Sequence, residues 1–438
     1  MSGLNRAVPP PDAPMRPSEL PLPDATTLPN GVRLITLPDR RAPVVEFRLI
    51  LPYAGRAYDT SDWIGLSGAT ARLLTAGTPT RASFDIADEA DRYGGYVSVS
   101  ASTETATLSA RCLAPYTEPM TRLIADVLLN PTFPADEVEI DRANTLQRLR
   151  LQRSQPAFLA EERFRIALFG DHPYRRLVPD EEALQRWQSE HLQAFHATRY
   201  RPHGATLLVV GDFEPEALLN WLNAALGAWQ GAVEQDPLPA PVMQNAEVGW
   251  FLVERPNSVQ SHLMLGTLCP PRTAPDSLAL QFAVSILGAG ASSRLFLTVR
   301  EQYGYAYSVG AHLDYYLCVS AFVAEAQTAT ENTHDAIRQV RAEIERLIQE
   351  PVPPQEMDAT RNYLIGRHMI SRLTLGSLAG LYKQTVLYNL PLDYWRRYPD
   401  LLDALTPQEV QSAAAQYLQT ERFATVVVGE PSLAEPIP

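Results

Sequence analysis

An internal repeat with a period near 220 residues limits the folds open to this chain more than any other feature. Pro131 in the segment NPTFPAD and Pro351 in EPVPPQE lie 220 positions apart, and each precedes a helical pattern. The segments ATLLVVG at Ala205 and ATVVVG at Ala424 begin 219 positions apart, and the pair FRLIL and SHLML lies 214 apart. Three landmarks in one order predict two copies of one domain, since the period is too long for a solenoid.

The boundary between the two copies falls in a proline-rich stretch. Segment 231–246 carries three prolines at alternating positions, which favours a stiff and extended linker. The chain is therefore divided into a disordered, proline-rich lead-in over 1–27, a first domain over 28–230, and a second domain over 247–438.

Local patterns indicate the fold class of each copy. Val44–Leu51 and the segment 96–112 alternate small polar and apolar residues, as half-buried strands do. Helical spacing over Thr80–Tyr93 ends at Gly94 and Gly95, a C-terminal helix signal. Because strands come in runs rather than alternating with helices, we predict an α+β fold whose antiparallel-dominated sheets are covered by helices.

Composition and simple sequence patterns argue against several classes of function. The 438 residues carry a net charge of −13, which disfavours binding to nucleic acid or to an anionic membrane. We find neither an apolar run near the ~18 residues of a membrane span nor a signal-peptide pattern, so a cytoplasmic location is expected. The three cysteines, Cys112, Cys269 and Cys318, are far apart and predict buried free thiols.

Common catalytic motifs do not occur in the sequence. None of the eight histidines lies three or four positions from another, so no helix can present a histidine pair to a metal. The segment GLSG at Gly65 lacks the second glycine of a nucleophile elbow. The segment GAGA at Gly288 lacks both the third glycine of a dinucleotide loop and a Walker lysine.

The stretch that begins at Leu287 carries the most specific signal. It reads LGAGASSRLFLTVREQYGYAYSV and predicts a small-residue loop, a short helix, a break at Gly304 and a strand. It resembles the second half of the insulinase/pitrilysin-like zinc peptidases, the inverzincins, which include the mitochondrial processing peptidases. Arg300 and Tyr307 are seven positions apart, as the family's Arg/Tyr pair is, and the resemblance extends from about Leu28 onward.

The zinc helix of that family is matched only at its flanks. The family pattern Gly-Leu-x-His-x-x-Glu-His-x-x-x-x-Gly-Thr corresponds here to GLSGATARLLTAGT. Gly68 and Arg72 stand at the histidine positions, and Ala71 stands at the general base. Arg148 stands at the third ligand. Since arginine keeps its proton and zinc needs three protein ligands, we expect no metal and no cofactor on this chain.

The resemblance then implies a non-catalytic subunit of a heterodimeric zinc peptidase, with two domains forming a half-clamshell. Its partner would be a homologous chain that carries HxxEH and the zinc. Arg300 and Tyr307 would stabilise the developing charge on a peptide carbonyl in the partner's site. Gly288, Ala289 and Gly290 would contact the peptide substrate. The chain alone would be inactive.

Other interpretations of the same residues stay open at this point. The chain could be a catalytically dead scaffold subunit or a homodimer of the same fold, formed without the partner. Arg300 could serve only its own helix, beside Glu301, and Tyr307 could be a core strand residue. An autonomous enzyme with a different nucleophile has no supporting motif.

Overall fold

The computed structural model describes residues 20–233, 238, 240–241 and 246–435. It contains two large sheets that are each covered by helices, so the predicted α+β class is confirmed. Most of the predicted lead-in, 1–19, lies outside the described residues, as do 234–237, 239 and 242–245 of the predicted linker.

The strands divide into two groups along the chain. The first group is β1 Asp24–Thr27, β2 Arg33–Pro38, β3 Val44–Pro52, the small hairpin β4 Gly77–Thr78 and β5 Arg81–Ala82, β6 Tyr96–Ala101, β7 Thr105–Leu113 and β8 Thr206–Gly211. The second group is β9 Gly249–Glu254, β10 Gln260–Cys269, β11 Ala306–Tyr315, β12 Ser320–Ala329 and β13 Ala424–Gly429.

Both large sheets have the same strand order. The first runs β1-β2-β8-β3-β7-β6, and the second runs β9-β13-β10-β12-β11 when read in the matching direction. In each sheet one pair is parallel, β2 with β8 and β9 with β13, while the other pairs are antiparallel. The two units are therefore copies of one topology, and β1 is the extra strand of the first.

Strand register corrects one predicted offset. Ile50 pairs with Thr206 in the first sheet, and Gly266 pairs with Ala424 in the second. When the first residues of β8 and β13, Thr206 and Ala424, are matched, Ile50 and Gly266 become equivalent, and they lie 216 positions apart rather than the 214 taken from the sequence. A shift of two residues keeps every side chain on the same face of the sheet. The apolar pattern is therefore the same before and after the shift, and could not reveal the error.

The lead-in prediction is wrong for its last residues. Asp24–Thr27 pair antiparallel with β2, and Leu20 is only 4% exposed. Tyr382 also donates a hydrogen bond to the carbonyl of Pro21 (2.9 Å). The side chains of β1 are all exposed, so this edge strand is held by backbone hydrogen bonds. For the same reason its sequence has no apolar pattern that would predict a strand.

The helices also fall into two groups. The first comprises α1 Leu66–Leu73, α2 Ser83–Arg92, α3 Thr117–Leu129, α4 Ala135–Arg153, α5 Pro156–Phe169, α6 Glu181–Arg186, α7 Ser189–Arg199 and α8 Pro215–Leu226. The second comprises α9 Ser277–Gly288, a π-helix Phe296–Gln302, α10 Thr333–Gln349, α11 Pro354–Ile370, α12 Leu375–Leu387, α13 Tyr394–Asp403 and α14 Pro407–Tyr417. Within the described ranges, none of them is both long and apolar enough to cross a bilayer.

Each of the two units packs one of its helices on the sheet of the other unit. Helix α5 of the first unit packs on β9, β10 and β13, where Phe164 joins Met264 in one buried cluster. Helix α12 of the second unit packs on β3 and β8, where Leu378 joins Leu208 in another. Each unit therefore covers a face of the other unit's sheet, and the two cores are completed only together.

The cysteines follow the sequence prediction in part. Cys112 and Cys269 are buried free thiols, and burial raises the pKa of each to about 12. Cys318 is also free but only half-buried, because it lies in the turn between β11 and β12 rather than within a strand.

A buried histidine lies in the core of the second unit. His368 on α11 is 4% exposed, and its ring lies 5.9 Å from that of Trp395 and 5.3 Å from that of Tyr398. Its Nε2 is 3.4 Å from Nη1 of Arg372. Burial, and then the Arg372 charge, lower the pKa of His368 from 6.5 to about 4.

We expect this histidine to make the protein sensitive to acid. On acidification the unfolded chain binds a proton at residue 368 near pH 6.5, whereas the folded chain does so only near pH 4. Stability should therefore fall as the pH drops from 6.5 to 4, by about 2 kcal/mol after allowance for solvent screening. Urea unfolding at both ends of this range should show a shallower loss in His368→Gln, and the same loss as wild type in His334→Gln. An equal loss in all three proteins would contradict the assignment.

Candidate functional site

Helix α1, which matches the zinc-helix pattern only at its flanks, begins beside the buried carboxylate of Asp59. Gly65 has φ +98°, and the carboxylate of Asp59 accepts hydrogen bonds from the backbone N–H of Gly65 (2.7 Å) and of Ser67 (2.8 Å). The Ser67 hydroxyl donates a third (3.2 Å). Burial raises the pKa of Asp59 to about 6, although these hydrogen bonds favour the carboxylate. The start of α1 is thus fixed without a metal.

An ion pair closes the side of α1 that faces α4. Arg72 donates from Nε to Oδ1 of Asp141 (2.7 Å) and from Nη2 to Oδ2 (2.8 Å), a bidentate geometry. Nη2 also lies 3.3 Å from the hydroxyl of Thr145. A Cβ placed on Gly68 would lie 3.2 Å from Nη1 of Arg72, so the glycine leaves room for the guanidinium.

Arg148 does not take part in this cluster. It is exposed, and among the described residues no carboxylate lies within ion-pair distance of it. Sequence reasoning missed Asp141, which lies seven positions earlier on α4, one turn before the buried Thr145. The sequence did offer one signal. A half-buried arginine such as Arg72 needs a carboxylate partner, and Asp141 lies at a helical interval from Arg148 on the same helix.

The residues around α1 do not fit a zinc ion. In the part of the chain that the structure describes, no group of three or more His, Cys, Asp or Glu side chains is arranged to hold a metal. The carboxylate of Asp141, which lies beside Arg72, is already bound by that arginine, which keeps its proton. No catalytic step can be assigned to a metal on these residues.

Arg300 lies in the π-helix Phe296–Gln302. Its guanidinium carbon is 4.7 Å from the ring centre of Phe296 and 5.8 Å from that of Tyr307. Its Nε is 3.6 Å from Oε1 of Glu301. π-Helices often occur at functional sites. The structure thus brings Arg300 and Tyr307 together and leaves the Arg300 side chain 42% exposed.

Tyr307 lies in a β-bulge at the start of β11. Ala306 pairs with Thr328 and Ser308 pairs with Gln327, so Tyr307 is the extra residue between two consecutive pairs. A bulge of this kind changes the direction of a side chain. Tyr307 is 78% exposed, which contradicts the alternative that it is a core strand residue.

The glycine loop is shaped by close packing. A Cβ on Gly288 would lie 1.9 Å from the backbone nitrogen of Ala311, and Gly290 has φ +88° with Tyr363 3.2 Å from its missing Cβ. Gly288 therefore ends α9 against β11, the strand that carries Tyr307, while Ala289 caps the helix and Gly290 lies against Tyr363 of α11. Contact with a substrate remains a prediction for these three residues.

The Ser-Arg-Leu segment after this loop has a structural role. Arg294 is 5% exposed and forms a bidentate pair with Glu356 of α11, at 2.8 and 2.7 Å. The Ser293 hydroxyl donates to the carbonyl of Gly290 (2.7 Å). These bonds hold the glycine loop and the π-helix in fixed positions relative to α11.

Comparison with known proteins gives consistent matches over most of the chain. The family model described as insulinase (peptidase family M16) matches residues 37–178, and the one described as peptidase M16 inactive domain matches 186–364. An uncharacterised zinc protease of Mycobacterium tuberculosis is 28% identical over 95% of both chains.

Two solved structures share the fold. The crystal structure of a peptidase M16 inactive domain from Pseudomonas fluorescens has a TM-score of 0.88 at 24% identity, and covers 95% of this chain and 100% of that one. A protease from Helicobacter pylori has a TM-score of 0.84 at 19% identity, with 93% and 100% covered.

Proposed function

The chain belongs to the M16 (insulinase) family of peptidases, and from that premise we propose that it is the metal-free subunit of a heterodimeric zinc peptidase. The partner is a homologous chain with an intact HxxEH helix, and it supplies the zinc ion and the general base. This chain supplies Arg300 and Tyr307 to the partner's active site, where peptides are hydrolysed. The complex works in the cytoplasm, and the isolated chain forms at most an inactive homodimer.

The chemistry proposed for the pair follows from its donors. Attack on a peptide carbonyl places negative charge on the oxygen, and fixed donors aimed at that oxygen lower the barrier. A guanidinium and a phenol are such donors, and neither needs a metal on its own chain. The Arg300 charge lies within 5.8 Å of the Tyr307 ring centre, so one carbonyl could face both.

The contrast between the two halves of the chain supports this proposal most strongly. On α1, Arg72 stands where the family pattern has a zinc ligand, and it forms an ion pair with Asp141. At β11 a bulge and a π-helix hold Tyr307 and Arg300 at the surface, where Tyr307 buries little of its ring. An exposed pair held by irregular backbone suits a role in binding better than a role in the core.

Mixing experiments test the proposal. Hydrolysis of a quenched fluorescent peptide pool is measured for this chain, for an HxxEH-bearing homologue from the same organism, and for the mixture, each with added zinc. We expect activity in the mixture only, abolished by a chelator. Chelator-sensitive activity of this chain alone would overturn the assignment, and inactivity of all three samples would favour a scaffold subunit.

A further inference from the structure

A cavity of about 390 Å³ lies between α5 and the second sheet. Both units contribute to it, since α5 belongs to the first and β10, β11 and β12 belong to the second. Phe158, Phe169, Met264 and Tyr316 give it apolar walls. The cavity is distinct from the Arg300–Tyr307 pair, although His312 and Tyr307 lie on the same strand, about 17 Å apart along an extended chain.

Most charged groups around this cavity already have partners. Nε of Arg165 lies 3.1 Å from Oε1 of Glu161, and its Nη1 donates to the carbonyl of Tyr174 (3.3 Å). Nε2 of His312 lies 3.5 Å from Oδ1 of Asp314, and this contact raises the pKa of His312. These two pairs leave little capacity for an added ligand.

Two lining groups are left without such partners. Glu325 is exposed to solvent and has no ion-pair or hydrogen-bond partner among the described residues, and the Nε2 atom of the half-buried His262 is buried with no hydrogen bond. Glu325 pairs in register with Met264, which is two residues from His262, so the two side chains are diagonal neighbours on one face. Burial lowers the pKa of His262, which keeps the imidazole neutral and able to accept a hydrogen bond.

The balance of charge determines what this cavity can hold. Three carboxylates, those of Glu161, Asp314 and Glu325, outnumber the cations of the lining, which are Arg165 and, when protonated, His312. An anion would meet net repulsion here, whereas a cation with N–H donors would find a free carboxylate and a neutral imidazole. The aromatic walls suit an aliphatic chain attached to that cation, and they also attract the positive charge itself.

We propose that this cavity binds a primary ammonium group on an aliphatic chain, with the Glu325 carboxylate and Nε2 of His262 as its acceptors. A free diamine and the side chain of a lysine share this chemistry. The inference does not depend on peptidase activity, because it rests on a cavity apart from Arg300 and Tyr307.

Calorimetric titration of the full chain tests this site. The probes are cadaverine, with 1-pentanol as its uncharged control, and Nα-acetyl-lysine amide, with Nα-acetyl-norleucine amide as its control. We expect binding of an ammonium probe with a dissociation constant near 1 mM or below, and none of either control. Tighter binding of cadaverine would identify a free diamine as the ligand, and tighter binding of the lysine amide would identify a peptide side chain.

Variants locate the ligand in the cavity. Glu325→Gln should weaken binding about tenfold or more, since it removes the charge and keeps the shape. His262→Phe should also weaken it, and Glu331→Gln, an exposed carboxylate outside the cavity, should not. The proposal is overturned if neither ammonium probe binds at about 10 mM, or if Glu325→Gln binds as tightly as wild type.

Discussion

In the complex with a zinc-bearing homologue, Arg300→Ala should lower kcat by about 10²–10³-fold, because one charged donor to the developing oxyanion is lost. Tyr307→Phe removes only a hydroxyl and should lower kcat by about tenfold to a hundredfold. Since both donors act mainly in the transition state, kcat should fall more than KM rises. Steady-state kinetics on a fluorescent peptide, with assembly followed by size-exclusion chromatography, measure both.

The neighbouring carboxylate offers a matched control. Glu301→Gln changes the charge next to Arg300 without removing either donor, so its kcat should stay close to that of wild type. Variants at residues 300 and 307 that assemble normally and retain full kcat would rule out the proposal that this pair acts in the partner's active site. Loss of assembly would instead assign the pair to the subunit interface.

Arg72→Ala should destabilise the chain by about 2–3 kcal/mol, because it leaves the mostly buried carboxylate of Asp141 without its partner. Asp141→Ala should cost a similar amount for the opposite reason. In the double variant Arg72→Met/Asp141→Leu, part of the loss should be regained, since no uncompensated charge remains. Urea unfolding at neutral pH gives all three free energies.

Two controls separate this ion pair from general effects on α4. Arg148→Ala removes an exposed arginine of the same helix that has no ion pair with any residue the structure describes, and should change the free energy of unfolding by less than about 0.5 kcal/mol. Addition of zinc or of a chelator should leave the unfolding midpoint unchanged. A midpoint that rises with zinc would contradict the account of α1 given above.

The sequence was sufficient to detect the duplication because two of its three landmarks lie in buried strands. Strands β8 and β13 are apolar at nearly every position, and that pattern repeats whatever surrounds it. The pair Arg300 and Tyr307 was identified through its resemblance to the family's Arg/Tyr pair, and the structure places the Arg300 guanidinium carbon 5.8 Å from the ring centre of Tyr307.

Tertiary partners could not be predicted in the same way. Helices α5 and α12 bury apolar side chains such as Phe164 and Leu378, but the sequence does not show which sheet each helix will cover. Asp141 was missed because its pairing with Arg72 spans 69 positions and two helices. Strand β1 was missed because its exposed side chains carry no pattern, and its stability comes from backbone hydrogen bonds to β2.

The packing of α5 and α12 on the sheet of the other unit has a consequence for the synthesis of the chain. When the ribosome has made the first 233 residues, one face of the first sheet still lacks α12, which is complete only at Leu387. The apolar residues of α5 stay uncovered for longer, until β13, one of the strands they pack on, has been synthesised as far as Gly429. The first unit therefore cannot finish folding while the second is being made. Both stay exposed to aggregation and to chaperones until nearly the whole protein has left the ribosome.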